Sequence, residues 1–226
     1  MRVSGKIRTS KKRKILITAG PTIEPLDPIR YISNYSTGEM GYAISSESLK
    51  RGHEVCLISG PVNIKASPKV HLVTVKTAVQ MSREVKRRIR NYDCIIMTAA
   101  VCDFRPQKEQ RQKIKKSNIF ELKLKKNPDI LLELRDCENL VKVGFALETK
   151  SLIKNGRQKL KKKKLDIIVL NERKQNKDPF GSGEKEYVLL NARDNQVKRI
   201  KKISKKEMAK KILDETEKIL TLREEI

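Results

Sequence analysis

The stretch Lys14-Ile15-Leu16-Ile17-Thr18-Ala19-Gly20-Pro21 decides the fold. Ile15 to Ala19 form a short, β-branched apolar run, the pattern of a parallel strand buried on both faces. The run stops at Gly20-Pro21. Downstream, Gly38 to Arg51 predict a helix with Gly52 at its C′ position, and Val55-Cys56-Leu57-Ile58 a second strand. Strand, helix and strand in a right-handed crossover are the unit of a parallel sheet. The unit recurs: Ala78, Met81, Val85 and Ile89 fall at helical spacing before a third strand, Cys94-Ile95-Ile96-Met97. Asn127-Pro128 introduces a short helix through Leu134, with Pro128 in the first turn, and Val141-Lys142-Val143-Gly144-Phe145 supplies a fourth strand. A basic helix over 150–164 leads to Ile167-Ile168-Val169-Leu170. Tyr187 to Leu190 and Val197 to Ile203, around Arg193-Asp194-Asn195, predict a hairpin. Met208, Ile212, Leu213, Ile219 and Leu220 mark a closing amphipathic helix. The predicted class is α/β: an open, mostly parallel sheet with helices on both faces and a small antiparallel β extension.

Composition bounds the function. The chain has 226 residues, enough for one sizeable domain. It carries 52 Lys and Arg against 27 Asp and Glu, a net charge of +25. Residues 1–13, rich in Lys and Arg with no acid, are expected to be a solvated basic arm or linker, with residues 14–226 as the domain. No apolar run reaches membrane-spanning length and the N-terminus lacks the core of a secretory signal, so the protein is expected to be soluble and cytoplasmic. The four cysteines, Cys56, Cys94, Cys102 and Cys137, show no Cys-x-x-Cys spacing and read as reduced thiols. The two histidines, His53 and His71, are too few for a multi-histidine metal site. Chemistry must therefore use Lys, Arg, Asn, Asp, backbone amides or a metal held by oxygen.

Two stretches depart from an ordinary α/β pattern. The connection from Ala19 to Thr37 spans nineteen residues, against about 2–6 for common strand-to-helix loops. It leaves the carboxyl end of the first strand, where open sheets bind ligands. It closes on Asn34-Tyr35-Ser36-Thr37-Gly38-Glu39-Met40-Gly41, a small polar opening to a helix. Such a terminus suits a phosphate or carboxylate; equally, Ser36 or Thr37 can cap it, with the glycines there for packing. The second stretch follows the third strand: Ala99-Ala100-Val101-Cys102-Asp103-Phe104-Arg105-Pro106 and then a basic run containing Lys113-Ile114-Lys115-Lys116. Ala99 and Ala100 allow a ligand near the backbone. Asp103 sits where an oxygen ligand to Mg2+ is natural. The lysines either neutralise a reacting polyphosphate or form a solvated loop. Lys159 and Lys163, one helical turn apart, can face the same anion. Neither a P-loop nor Gly-x-Gly-x-x-Gly after the first strand is present.

The stretch Gly20-Pro-Thr-Ile-Glu-Pro-Leu-Asp-Pro-Ile-Arg-Tyr-Ile-Ser-Asn-Tyr-Ser-Thr-Gly-Glu-Met-Gly41 resembles the signature of phosphopantothenate–cysteine ligase, a coenzyme A biosynthesis enzyme also called phosphopantothenoylcysteine synthetase. Ala99 to Asp103, Lys113 to Lys116, Lys126 to Ile130, Gly144 to Thr149 and Arg157 to Lys159 match in the same order, so the resemblance covers roughly residues 14–222. It implies a Rossmann-like domain and a two-step ligation. The 4′-phosphopantothenate carboxylate attacks the α-phosphate of a nucleoside triphosphate, CTP in the bacterial branch, and pyrophosphate leaves. The amine of L-cysteine then displaces CMP from the acyl cytidylate. Mg2+ is the implied cofactor, and the family is a homodimer whose site draws on both subunits. Residue roles carry over by position. Asn34 and Lys113 are catalytic, Asn34 through its amide at the acyl nucleotide and Lys113 on a flexible nucleotide-binding loop. Asp103, Asn127, Pro128, Asp129, Ile130, Phe145, Lys159 and Lys163 contact nucleotide, with Asp103 a candidate Mg2+ ligand. Asn34, Ser36, Thr37, Gly38, Met40, Ala99 and Ala100 contact substrate.

Three positions depart from the family pattern: Cys102 stands where Ala is usual, Phe104 where Tyr is common, and Leu147 where Ala is commoner, reshaping the nucleotide pocket. No flavin-binding decarboxylase segment precedes the domain, so neither FMN nor decarboxylation is expected, whether the chain is a stand-alone ligase or the C-terminal half of a bifunctional protein. The basic charge alone would also suit a nucleic-acid binder. Only 4% of residues are aromatic and no base-reading motif appears, so no specific nucleic-acid partner is expected. An NAD(P) oxidoreductase would need the glycine fingerprint the sequence lacks.

Overall fold

A computed structural model describes residues 11–115, 121–172, 183–194 and 196–225. The elements run in order β1 (Lys14–Ala19), β2 (Ile23–Pro25), β3 (Tyr31–Ser33), α1 (Glu39–Lys50), β4 (Glu54–Ser59), β5 (His71–Thr74), α2 (Ala78–Arg88), β6 (Cys94–Met97), β7 (Phe104–Pro106), β8 (Leu124–Lys126), α3 (Ile130–Glu133), β9 (Val141–Glu148), α4 (Leu152–Lys162), β10 (Ile167–Glu172), β11 (Lys185–Asn191), β12 (Val197–Ile203) and α5 (Lys205–Glu224). Eight strands form one sheet in the order β12-β11-β10-β9-β6-β1-β4-β5. The six from β5 to β10 are parallel; β11 and β12 add the antiparallel extension.

Alternation along β1 builds both cores. Ile15, Ile17 and Ala19 pack with Ile44 of α1 and with Met208, Ile212, Leu213 and Ile219 of α5. Leu16, on the opposite face, joins Met81 and Val85 of α2 and Ile130 and Leu131 of α3. The chain leaves β1 for β4 and β5 on one side, then returns to β6 on the other, so the order switches between β1 and β6. At such a point the connections diverge and leave a crevice at the carboxyl ends of the strands. Gly41 allows α1 to lie close above this crevice. A Cβ there would stand 2.5 Å from Ala19 Cβ and 2.6 Å from Thr98 Oγ1.

Several expectations need correction. The long connection after β1 is no open loop: β2 and β3 pair within it as a hairpin, Ile23 opposite Ser33. The basic stretch after β6 is clasped at its ends, Phe104 of β7 opposite Lys126 of β8. Pro128 stands before the helix rather than in its first turn, because Asp129 is the N-cap and accepts from Leu132 N. The basic helix α4 is shorter than 150–164; Lys163 is its C-cap and Lys164 has φ +47°. Strand β9 runs on to Glu148. Arg13, expected at the end of a solvated arm, is 8% exposed and donates through both terminal guanidinium nitrogens to Glu224. Residues 1–10, Lys116 and Asn195 lie outside the described residues. No helix of the described residues is long and apolar enough to cross a membrane.

A polar clasp ties α5 to α1. Arg51 pairs with Glu47, Asp214 and Glu217. Buried His53 meets Glu217 Oε1 at 2.9 Å through Nε2, and accepts from Arg13 N through Nδ1. Burial opposes ionisation of Glu217, but His53 and Arg51 outweigh it and hold the carboxyl below its ordinary value. Such a group stabilises the fold above the carboxylate range, and that contribution fades as pH falls through it. Glu217→Gln is expected to cost about 1–2 kcal/mol at neutral pH. Urea unfolding at descending pH checks this, and the gap to wild type should close in acid.

Candidate active site

The crevice at the switch point opens into a cleft of about 480 Å³. One wall begins where β3 ends. Asn34 Nδ2 donates to the Ala100 carbonyl at 3.0 Å and approaches Cys102 Sγ at 3.8 Å. The same Ala100 carbonyl accepts from Thr22 N, and Ala100 N donates to Gly20 O. A parallel bridge between Pro21 and Ala100 thus prolongs the β1–β6 pairing beyond the strands. It fixes Asn34 beside the small residues Ala99 and Ala100.

From Asn34 the chain enters α1 through Gly38, whose φ of +79° favours glycine. The helix has no side-chain cap at Gly38. Instead Ser36 Oγ accepts from Gly38 N and Thr37 Oγ1 from Glu39 N. A helix start of this kind presents backbone donors to an anion. Met40 lines the cleft just inside the helix.

The facing wall comes from β9, α3 and α4. Phe145, Ala146 and Leu147 lie on it, with Leu147 partly exposed. Asn127 staples the entry to α3: its N donates to Asp103 O, its Nδ2 to Cys102 O, and its Oδ1 accepts from Arg105. That staple places Pro128, Asp129 and Ile130 on the cleft. Lys159 and Lys163 do project into one cleft, but each holds its own carboxylate, Glu148 at 2.6 Å and Asp129 at 2.8 Å. Burial opposes ionisation of Glu148; Lys159 and Asn155 outweigh it and lower its pKa.

Of the residues expected at the site, Asn34, Ser36, Thr37, Gly38, Met40, Ala99, Ala100, Asp103, Asn127, Pro128, Asp129, Ile130, Phe145, Lys159 and Lys163 all line this cleft. Lys113 does not. It is exposed, next to half-buried Ile114. The cleft also takes in residues the sequence reading passed over. Lys205, the first residue of α5, pairs with Glu39 at 2.6 Å. Asn171 and Tyr187 are register partners on β10 and β11, and burial, then Glu39, pushes the Tyr187 phenol up to about 12. No local motif announces these three, because only sheet order and the packing of α5 bring them here. Cys102 is buried, and burial raises its thiol pKa against a hydrogen bond with Thr22. Among the described residues no group of three or more His, Cys, Asp or Glu is placed to hold a metal. Asp103 is an exposed carboxylate on the cleft, the chemistry of a lone oxygen ligand to a hard cation.

Comparison with known proteins agrees with this architecture. The coenzyme A biosynthesis bifunctional protein CoaBC of Borreliella burgdorferi is 41% identical over 208 residues, covering 90% of this chain and 52% of that protein. The CoaBC protein of Escherichia coli is 42% identical over 179 residues, covering 76% of this chain and 44% of its own length. The chain thus spans about half the length of the curated relatives it matches. The crystal structure of the C-terminal domain of a CoaBC protein superposes with a TM-score of 0.81 at 32% identity, over 94% of this chain and 98% of that one. Residues 10–220 match the family described as DNA/pantothenate metabolism flavoprotein C-terminal domain, and the chain belongs to that family.

Proposed function

We propose that the chain is a phosphopantothenate–cysteine ligase of coenzyme A biosynthesis, acting in the cytoplasm through an acyl-cytidylate intermediate. One observation carries the reading. Residues from five separated motifs, Asn34, Asp103, Asp129, Phe145 and Lys159 among them, meet in one cleft at the switch point. The names of the relatives support the pathway, and the likeness to a CoaBC C-terminal domain supports the ligase half. The proposed ligation needs no flavin.

In this reading the start of α1 and the Asn34 amide receive the pantothenate phosphate and its carboxylate. CTP lies along Asp129, Ile130 and Phe145. Joining a carboxylate to a polyphosphate requires positive charge at the meeting point. Lys159 and Lys163 supply it once the phosphates compete with Glu148 and Asp129. Lys113, on the segment outside the cleft, offsets charge on the departing pyrophosphate. Asp103 would hold Mg2+, which supplies Lewis-acid charge stabilisation at the phosphates when bound. Asn34 then hydrogen-bonds the acyl cytidylate, without adding negative charge, while the cysteine amine attacks the acyl carbon and CMP leaves. A homodimer is supported by exposed Ile29, Tyr31 and Tyr35 on and beside the β2–β3 hairpin and Phe104 and Leu124 on β7 and β8. The two hairpins touch through β2 and β7, so the apolar surface is shared between neighbours.

Pyrophosphate should be released only when phosphopantothenate, Mg2+ and CTP are together. Trials of CTP, ATP, GTP and UTP, with and without cysteine, check this, and release with none of them sinks the reading. Lys113→Gln is expected to lower kcat about a hundredfold with the fold unchanged by circular dichroism. Asn34→Asp, which sets a carboxylate against the acyl phosphate, should slow single-turnover formation of the acyl cytidylate by a similar factor, about a hundredfold.

A further inference from the structure

Asp27 has no place in the cleft, yet among the described residues its side chain is one of the most heavily bonded. Its carboxylate is fully buried while Arg30, its ion-pair partner, is half exposed. Oδ1 accepts from Ile29 N at 2.9 Å and Arg30 N at 2.8 Å, which closes the turn between β2 and β3. Oδ2 accepts from Arg30 Nε at 3.0 Å and Nη2 at 2.5 Å. A further donor comes from far along the chain: Ile114 N reaches Oδ2 at 3.1 Å. Arg30 Nη2 also donates to the Ile114 carbonyl at 2.9 Å. The ion pair therefore grips both backbone groups of the residue that follows Lys113. Nearby, Gln110 N donates to Leu26 O at 2.9 Å, so the segment is tied to the hairpin twice. Arg30 and the amides of Ile114, Ile29 and Arg30, against burial, hold the Asp27 carboxyl well below the usual range.

The hairpin so gripped ends in Asn34. One short element thus carries the cleft amide at one end and the basic segment at its turn. We infer that Asp27 is a positioning residue, whose carboxylate fixes Lys113 relative to Asn34 through the backbone of Ile114. The inference rests on the role proposed above for Lys113. A neutral acceptor cannot replace the carboxylate. Five donors converge on two oxygens, and an amide turns an NH2 toward one set of them.

Asp27→Asn, Lys113→Gln and the double variant test this. With Asp27→Asn, trypsin should cut after Lys113 or Lys115 about tenfold faster than in wild type, since a charged hydrogen bond to Ile114 is lost; peptide mass mapping reads the site. The kcat for pyrophosphate release should fall about tenfold to a hundredfold from misplacement, with KM for phosphopantothenate little changed. The double variant should be no slower than Lys113→Gln alone. Unchanged cleavage, or losses that multiply in the double variant, overturns the inference. Should Asp27→Asn fail to fold, Arg30→Lys, whose ammonium loses the forked geometry, should show the same faster cleavage, and its absence counts equally against the inference. Proteolysis needs no turnover, so a wild-type protein inert toward CTP defeats the functional reading while cleavage still judges the grip.

Discussion

The pairing of β1 with β6 is the constraint from which the rest follows. Both strands are buried on both faces, and their register, Ile15 opposite Cys94 through Thr18 opposite Met97, continues into the Pro21–Ala100 bridge. Beyond it the two chains part, one into the β2–β3 hairpin and the other toward β7. Backbone groups at the parting need partners once the ladder ends. The Asn34 amide supplies one for Ala100, and Thr18 and Thr98 supply others through Ala99 N and Thr18 O. A site therefore forms where the sheet runs out of neighbours, rather than in a loop placed on top of it.

Charge is arranged with equal economy around that opening. The protein is strongly basic, yet Lys159, Lys163 and Lys205 each contact a carboxylate in the cleft region. Each of these ammonium groups is thus paired with an acid of its own. Under the proposed function, a polyphosphate entering the cleft would exchange its own negative oxygens for those that now hold Lys159 and Lys163.

The strands and main helices were legible because burial writes a simple pattern. Ile15 to Ala19, Cys94 to Met97 and Ile167 to Leu170 are apolar on both faces, and Met81 and Val85 repeat at helical spacing. The three-residue ladders β2–β3 and β7–β8 were not legible. They are too short for periodicity, and Pro25 and Pro106 argue locally against strand. At the site, residues at strand ends or in the long motif could be read in order. Lys205, Tyr187 and Asn171 could not, because they reach the cleft from β10, β11 and α5 through tertiary packing alone. Asp27 sits in an Asp-Pro turn, which announces the turn but not its hold on Ile114.

The near contact of Gly41 with Ala19 and Thr98 has a mechanical side. With backbone seated almost directly on side chains, α1 packs against the ends of β1 and β6 with no room for even a methyl group between them. That flank of the cleft behaves as an anvil. The opposite jaw is built of shorter and longer pieces: α3 is a single turn, and Lys159 and Lys163 extend from α4 and its end on long side chains.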